Sequence, residues 1–263
     1  MADSENATGA QDPGAELDSH SPDDREFSFG ATLDWRRLDQ IQALGTRQSA
    51  VNKPTTVLRQ GQIAASFYIL VDGWGLRYRQ LGDGRRQILS FLLPGDPVTL
   101  SALSPRRLAH SVQLLPDCVV SEFDADAVAE KLHGSEYLQA CVNASYEHEL
   151  AMADELLTNL GRRSAKERIA HLMLEFDSRL KLRGADHNRD ISMPLRQRHL
   201  ADALGLTTIH VNRTLRILRN ENLIDMRGGI LRILERDRLI ALAKFDAAYL
   251  SAGTANGIDA GEH

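Results

Sequence analysis

The sequence predicts an α+β chain in three successive parts: a small antiparallel β roll or barrel, one long helix and a C-terminal helix-turn-helix. Three observations predict it. Between Thr56 and Phe123, short β-branched and aromatic runs are broken by Asp-Gly and Gly-Asp pairs, the punctuation of hairpins. From Glu136 to Leu160 there is no Gly or Pro. Residues 197–216, QRHLADALGLTTIHVNRTLR, pair two short apolar-faced segments around a single Gly.

A length of 263 residues favours two domains, and a hydrophobic content of 43% supports ordinary cores. Residues 1–30 carry eight Asp/Glu against Arg25 alone and are Gly-, Ser- and Pro-punctuated, which reads as a disordered acidic tail. The roll occupies residues 31–135. Its clearest piece is FYILVDGWGLRYRQLGDGRRQILSFLLPGD, with strands at Tyr68–Val71, Gly75–Arg79 and Arg86–Leu92 and tight hairpin turns at Asp72-Gly73 and Asp83-Gly84.

The helix over 136–160 would span about 37 Å. Along it Leu138, Val142, Ser145, Glu149, Met152 and Leu156 recur at alternating spacings of four and three. That is the period of a two-stranded seam and marks a dimer interface, although the same stripe would serve to cover the helix's own domain. Gly161 interrupts the pattern, so a hinge is expected near 161–163. Ser164-Ala-Lys-Glu167 is a capping box that opens a second helix reaching about Leu182. The segment GADHNRD reads as a loop, and Gly228-Gly229 between β-prone flanks as a hairpin wing. Residues 252–263 read as a flexible tail.

Residues 161–251 hold 18 Lys/Arg against 11 Asp/Glu, although the whole chain is at −5. A positive region attracts a polyanion, and a solvated helical face would give the same count. The motif at 197–216 is more specific. Leu200, Leu204, Leu206, Val211 and Leu215 face inward, Ala201 allows two helices to cross closely, Gly205 supplies a left-handed turn and Thr207 caps the second helix. Thr208, Ile209, His210, Asn212 and Arg213 then lie on or near the outward face as base readers; Arg pairs with guanine and Asn with adenine in the major groove. Thr207, Arg196, Arg198, Arg216, Arg219 and Arg227 are placed for phosphates. The partner implied is double-stranded DNA.

In this order of parts, the sequence resembles the Crp/Fnr superfamily of bacterial transcription regulators over about residues 30–250. The likeness is carried by FYILVDGWGLRYR, DGRRQILSFLLPGD, SVQLLPDCVVSEF, GRRSAKERIAHLMLEF and ADALGLTTIHVNRTLRILR. The resemblance implies a double-stranded β-helix or jelly-roll sensor domain of the cyclic-nucleotide-binding type, a long dimerisation helix and a winged helix-turn-helix. It further implies a homodimer that sets two recognition helices about 34 Å apart on a two-fold symmetric site. An activator would also touch RNA polymerase.

The sensor departs from cyclic-nucleotide-binding relatives, in which a Gly-Glu pair and an Arg followed by Ser or Thr hold the ligand. Here PGDPVTLSALSPRRLAHSVQ puts Asp96 in place of the Glu and Leu108-Ala109 where Arg-Ser is expected, with Arg106 and Arg107 close by. Asp96, Arg106 and Arg107 are the candidate effector pocket, and the effector is unassigned. A cyclic-nucleotide-responsive or haem-based gas-responsive regulator is the alternative, the latter through His110. A signalling module without DNA binding is another.

No cofactor or metal site is expected. Cys118 and Cys141 are 23 positions apart with no CxxC pattern, and the N-terminal region lacks the cysteines of a cluster-based oxygen sensor. A metal-dependent barrel oxygenase needs two or three His with a carboxylate, yet His110 is the only His between Thr56 and Phe123. The chain is therefore not expected to be an enzyme. No apolar run of about 18 residues and no signal peptide occur, so a cytoplasmic protein is expected.

Overall fold

The computed structural model describes residues 35–104, 106–184 and 190–251. The acidic tail over 1–30, the tail over 252–263 and most of the GADHNRD loop lie outside the described residues. Among the described residues, no helix is long and apolar enough to cross a membrane.

Among the described residues the roll holds α1 (Asp39–Gln42) after a short 3-10 turn, and seven strands: β1 (Arg47–Val51), β2 (Thr55–Leu58), β3 (Ser66–Asp72), β4 (Gly75–Gln80), β5 (Arg86–Leu92), β6 (Ser111–Leu114) and β7 (Cys118–Asp124). They pair antiparallel in two sheets, ordered β1-β7-β3 and β2-β6-β4-β5. The three strands expected around the Asp-Gly turns are present, each within a residue or two of its expected ends. Only Asp83-Gly84 closes a hairpin, β4 with β5; β3 pairs with β7 and lies in the other sheet from β4, so Asp72-Gly73 is a crossover between sheets and not the expected hairpin turn. Strand β1 starts nine residues before the region that read as β structure. Its RQSAV sequence lacks an apolar face because most of its side chains are exposed or half-exposed.

Between β3 and β4 the chain turns at Gly73, whose φ is +87°. A Cβ there would stand 2.8 Å from Cα of Cys118 and 2.9 Å from the Asp117 carbonyl, so only glycine lets the two turns pack. Cys118 in turn accepts a hydrogen bond from N–H of Trp74 and donates to its carbonyl at 2.9 Å. Both cysteines are buried and unpaired.

After α2 (Ala125–His133) come α3 (Glu136–Arg162) and α4 (Ala165–Leu182). The break between them falls at Arg163, within the expected hinge at 161–163, although Gly161 itself does not end the helix. Gly161 is exposed with open space around it and stays helical. The helix ends where Arg163 turns extended and the Ser164–Glu167 capping box starts α4, with Ser164 N–H donating to Glu167 Oε2 at 2.7 Å. The remaining elements are β8 (Ile191–Ser192), α5 (Gln197–Leu204), α6 (Thr208–Asn220), β9 (Ile224–Arg227), β10 (Ile230–Ile233) and α7 (Arg236–Ala243). Gly228 and Gly229 both have positive φ and join β9 to β10 as the expected hairpin, with β8 on its far side.

Helix α4 is buried nearly all round, from Ile169 to Met173 on through Phe176 and Arg179. One side holds α5, α6 and α7; the other meets the roll through side chains. There Phe176 meets Trp74 and Phe91 edge-on, at centroid distances of 4.9 and 5.2 Å. Beside it, the buried Asp96 carboxylate accepts from Leu93 N–H at 2.7 Å, from Arg179 at 2.8 Å and from Arg183. Burial pushes this carboxyl up, but Arg183 and Arg179 outweigh burial and hold it well below the usual carboxylate range.

Removing a partner from this buried cluster should be costly. Asp96→Asn is expected to destabilise the protein by about 3–5 kcal/mol in urea denaturation at neutral pH. A carboxyl held low contributes its stability above the ordinary carboxylate pKa of about 4 and loses it only on further acidification. The wild-type advantage over the variant should accordingly be constant above about pH 4 and shrink below it.

Candidate nucleic-acid interface

The helix-turn-helix is built by its buried side. Leu200, Ala201, Leu204, Val211, Leu215 and Leu218 are all buried, while Leu206, expected inside, is half-buried at the turn. Gly205 ends α5 in the left-handed region at φ +61°, and Leu206 N–H reaches back to the Ala201 carbonyl at 3.1 Å. Thr207 then caps α6, its hydroxyl accepting from His210 N–H at 3.2 Å.

What remains outside is one continuous face. Thr208, Ile209, His210, Asn212, Arg213 and Arg216 are exposed, and Ile209, at 77% exposure, is the barest of the large apolar side chains among the described residues. Asn212 Nδ2 donates to Gln197 Oε1 at 3.3 Å, so a residue at the start of α5 orients one side chain of α6. Arg196, Arg198 and Arg219 are also exposed, around the motif, and Arg227 stands at the wing hairpin with Asp225 3.0 Å away. The fold thus brings the side chains expected to read bases and those expected to hold phosphates to one end of the molecule. The α6 N-terminus adds unpaired N–H groups that favour an anion.

Of the other two candidate groups, the effector pocket is corrected, and the α3 stripe is engaged within its own protomer. Asp96, Arg106 and Arg107 form no pocket: Asp96 is buried and consumed by Arg179 and Arg183, whereas Arg106 and Arg107 are exposed and Arg107 donates to the Gly61 carbonyl. Leu108 is buried and its carbonyl accepts from Gly61 N–H. Polar groups inside the roll include Arg77, Thr99, Ser111 and Ser121, with His110 half-buried beside Thr99. Arg77 donates to the Val98 and Pro97 carbonyls and pairs with Glu149 at 2.7 Å. His110 shares a hydrogen bond with Thr99; burial first, then Arg77 and Arg79, lowers its pKa to about 4, so it is neutral at pH 7. Among the described residues no group of three or more His, Cys, Asp or Glu side chains is placed to hold a metal.

The stripe assigned to a dimer seam packs against its own protomer. Leu138 is fully buried, Val142 packs on the core, and Ser145 accepts from Trp35 Nε1 at 3.1 Å. Glu149 is taken by Arg77, and Met152 and Leu156 line a cleft against Ile88, Phe91 and Leu172. Two faces of α3 carry a three-four spacing, and the roll covers this one. The other presents Tyr146, Leu150 and Leu157 at 46, 64 and 68% exposure, in line with Asn143 and Ala153.

Sequence reasoning did not find Arg77, Arg179, Arg183 or His199. His199 is buried on α5 and accepts from Arg196 N–H at 3.2 Å. A charged residue flanked by Leu76 and Tyr78 inside an apolar strand was the one available signal. The left-handed Gly205 is testable: Gly205→Ala meets nothing closer than 3.6 Å, so its cost is backbone strain of about 1–2 kcal/mol. Thermal denaturation should show that loss, with Gly205→Asn milder because Asn tolerates this conformation.

Comparisons with known proteins agree with this geometry. A Crp-like helix-turn-helix domain matches residues 167–242 and a cyclic nucleotide-binding domain matches residues 49–134. The transcriptional activatory protein AadR of Rhodopseudomonas palustris is 32% identical over 211 residues, which cover 80% of this chain and 84% of that protein. The nitrogen fixation regulation protein FixK of Bradyrhizobium diazoefficiens is 32% identical over 220 residues, covering 83% and 91%. The solved structure of FixK2 from Bradyrhizobium japonicum superposes with a TM-score of 0.69 at 28% identity, over 75% of this chain and 96% of that one. With its roll, long helix and winged helix-turn-helix in the same order, this chain belongs to the Crp/Fnr family of DNA-binding transcription regulators.

Proposed function

We propose that two copies of this chain associate along α3 and lay their α6 helices into successive major grooves of a two-fold symmetric DNA site. The observation that carries the reading is the division of α6. Its buried side is locked in the core by Val211, Leu215 and Leu218, so the exposed Thr208, Ile209, His210, Asn212 and Arg213 are presented on a rigid element. Arg213 takes the guanine-reading role, Asn212 the adenine-reading one. Thr207, Arg196, Arg198, Arg216, Arg219 and Arg227 contact phosphates.

The dimer seam in this reading is the outward face of α3: Asn143, Tyr146, Leu150, Ala153 and Leu157, again at alternating spacings of three and four. It is long, apolar at its centre and exposed, and it lies about 100° around the helix from the stripe that the protomer itself uses. A second copy of the same helix is its natural complement.

Four measurements test these assignments. Affinity for a duplex selected from a random pool should fall by about 0.9 log units per log unit of salt for each phosphate neutralised. Arg213→Ala should cost about 1–3 kcal/mol on the selected duplex and little on random DNA; equal loss on both would make Arg213 a phosphate contact. Leu150→Glu buries a carboxylate in each half of the seam and should raise the dimer dissociation constant by about a hundredfold or more in sedimentation equilibrium. Met152→Glu, on the inward face, should lower protomer stability instead. A Leu150→Glu protein that remains dimeric would place the seam elsewhere.

A further inference from the structure

The DNA-binding end is tied to the roll at a second place besides α4, and this contact leads straight to the helix-turn-helix. Arg86 and Gln87, the first residues of β5, reach across to the last turn of α5. Arg86 donates through Nε and a terminal nitrogen to Asp202 Oδ2 at 2.9 and 2.8 Å. Gln87 Nε2 donates to the Ala203 carbonyl at 2.9 Å, supplying a partner at a helix end where intrahelical donors run out. Arg86 is itself held on the roll, 5.2 Å above the Tyr78 ring and 3.3 Å from Gln113 Oε1.

Two residues after Ala203 comes Gly205, and α6 starts three residues later. A shift of the α5 terminus is therefore passed directly to the recognition helix. In a dimer joined along α3, the distance between the two α6 helices depends on how each helix-turn-helix is held to its own roll. One base pair corresponds to about 3.4 Å along the duplex and about 35° around it, so loose holding would blur the register.

We infer that Arg86, Gln87 and Asp202 are positioning residues that fix the half-site spacing this protein accepts on DNA. The inference rests on the two-fold dimer reading above. The ion pair is partly exposed, with side chains 20 and 30% accessible, so it contributes little to stability. Its contribution is directional: it selects one orientation of the α5 terminus against the roll.

The test compares the selected operator with duplexes that have one base pair added or removed at the centre, and with an isolated half-site, for the full chain. The wild type should prefer the selected spacing strongly. Arg86→Ala, Asp202→Asn and Gln87→Ala should each reduce that preference by about fivefold per protomer. Half-site affinity should stay within about twofold, because these side chains lie away from the reading face. The exchange Arg86→Asp with Asp202→Arg should recover a substantial part of the preference. Single variants that keep the wild-type preference, or lose half-site affinity with the preference unchanged, would overturn the positioning role alone. A wild type that binds the half-site but tolerates every spacing equally would overturn the two-fold reading together with it.

Discussion

The placement of the DNA-binding end starts from the docking of α4 on the roll. Phe176 is held between Trp74 and Phe91, and Asp96 is shared by Arg179 and Arg183. The aromatic contact excludes water, and exclusion of water is what makes the neighbouring charges strong when paired and costly when not. The Pro94-Gly95-Asp96 turn thereby becomes a fixed socket of the roll for α4, with Arg183 also donating to the Leu93 and Pro94 carbonyls. Because α4 carries α5, α6 and α7 on its other side, this interface, together with the contact of β5 on α5, sets where the exposed face of α6 lies.

The same economy of faces explains α3. Its inward stripe mixes Leu138 and Met152 with Ser145 and Glu149, and each polar member has a specific partner, Trp35 or Arg77. A polar residue in an otherwise apolar stripe weakens a symmetric seam, yet suits an asymmetric contact in which the opposite surface can supply a donor. The outward stripe has no partner in the roll and is left with Tyr146, Leu150 and Leu157 bare. One long helix can thus serve the protomer's core with one face and a second protomer with the other.

Much of the fold was legible because local chemistry and tertiary context agreed. Gly73 and Gly84 at positive φ, the Ser164–Glu167 capping box, the left-handed Gly205 and the Gly228-Gly229 turn each stand where the residues said they would. Where the two disagreed, tertiary context won. Strand β1 forms from RQSAV by pairing with β7 despite lacking an apolar face, and α3 runs through Gly161 because an exposed helical glycine weakens a helix without ending it. The candidate site divided along the same line. Thr207 to Arg213 could be assigned from helical periodicity alone, whereas Arg77, Asp96, Arg86 and Asp202 act through partners tens of residues away.

By itself, then, the sequence determined the order of the parts, the helix-turn-helix and the side chains on its outer face, because these follow from residues close together in the chain. Only the tertiary structure decided what lies opposite what. It moved Asp96 from an effector pocket to a structural socket and gave the polar members of the predicted seam, Ser145 and Glu149, partners within the protomer. It also joined the roll to α5 through Arg86 and Gln87. The physical reason is that a three-four spacing or a lone charge specifies a face but not its partner, and a charge's role is fixed by the groups that surround it once water has left.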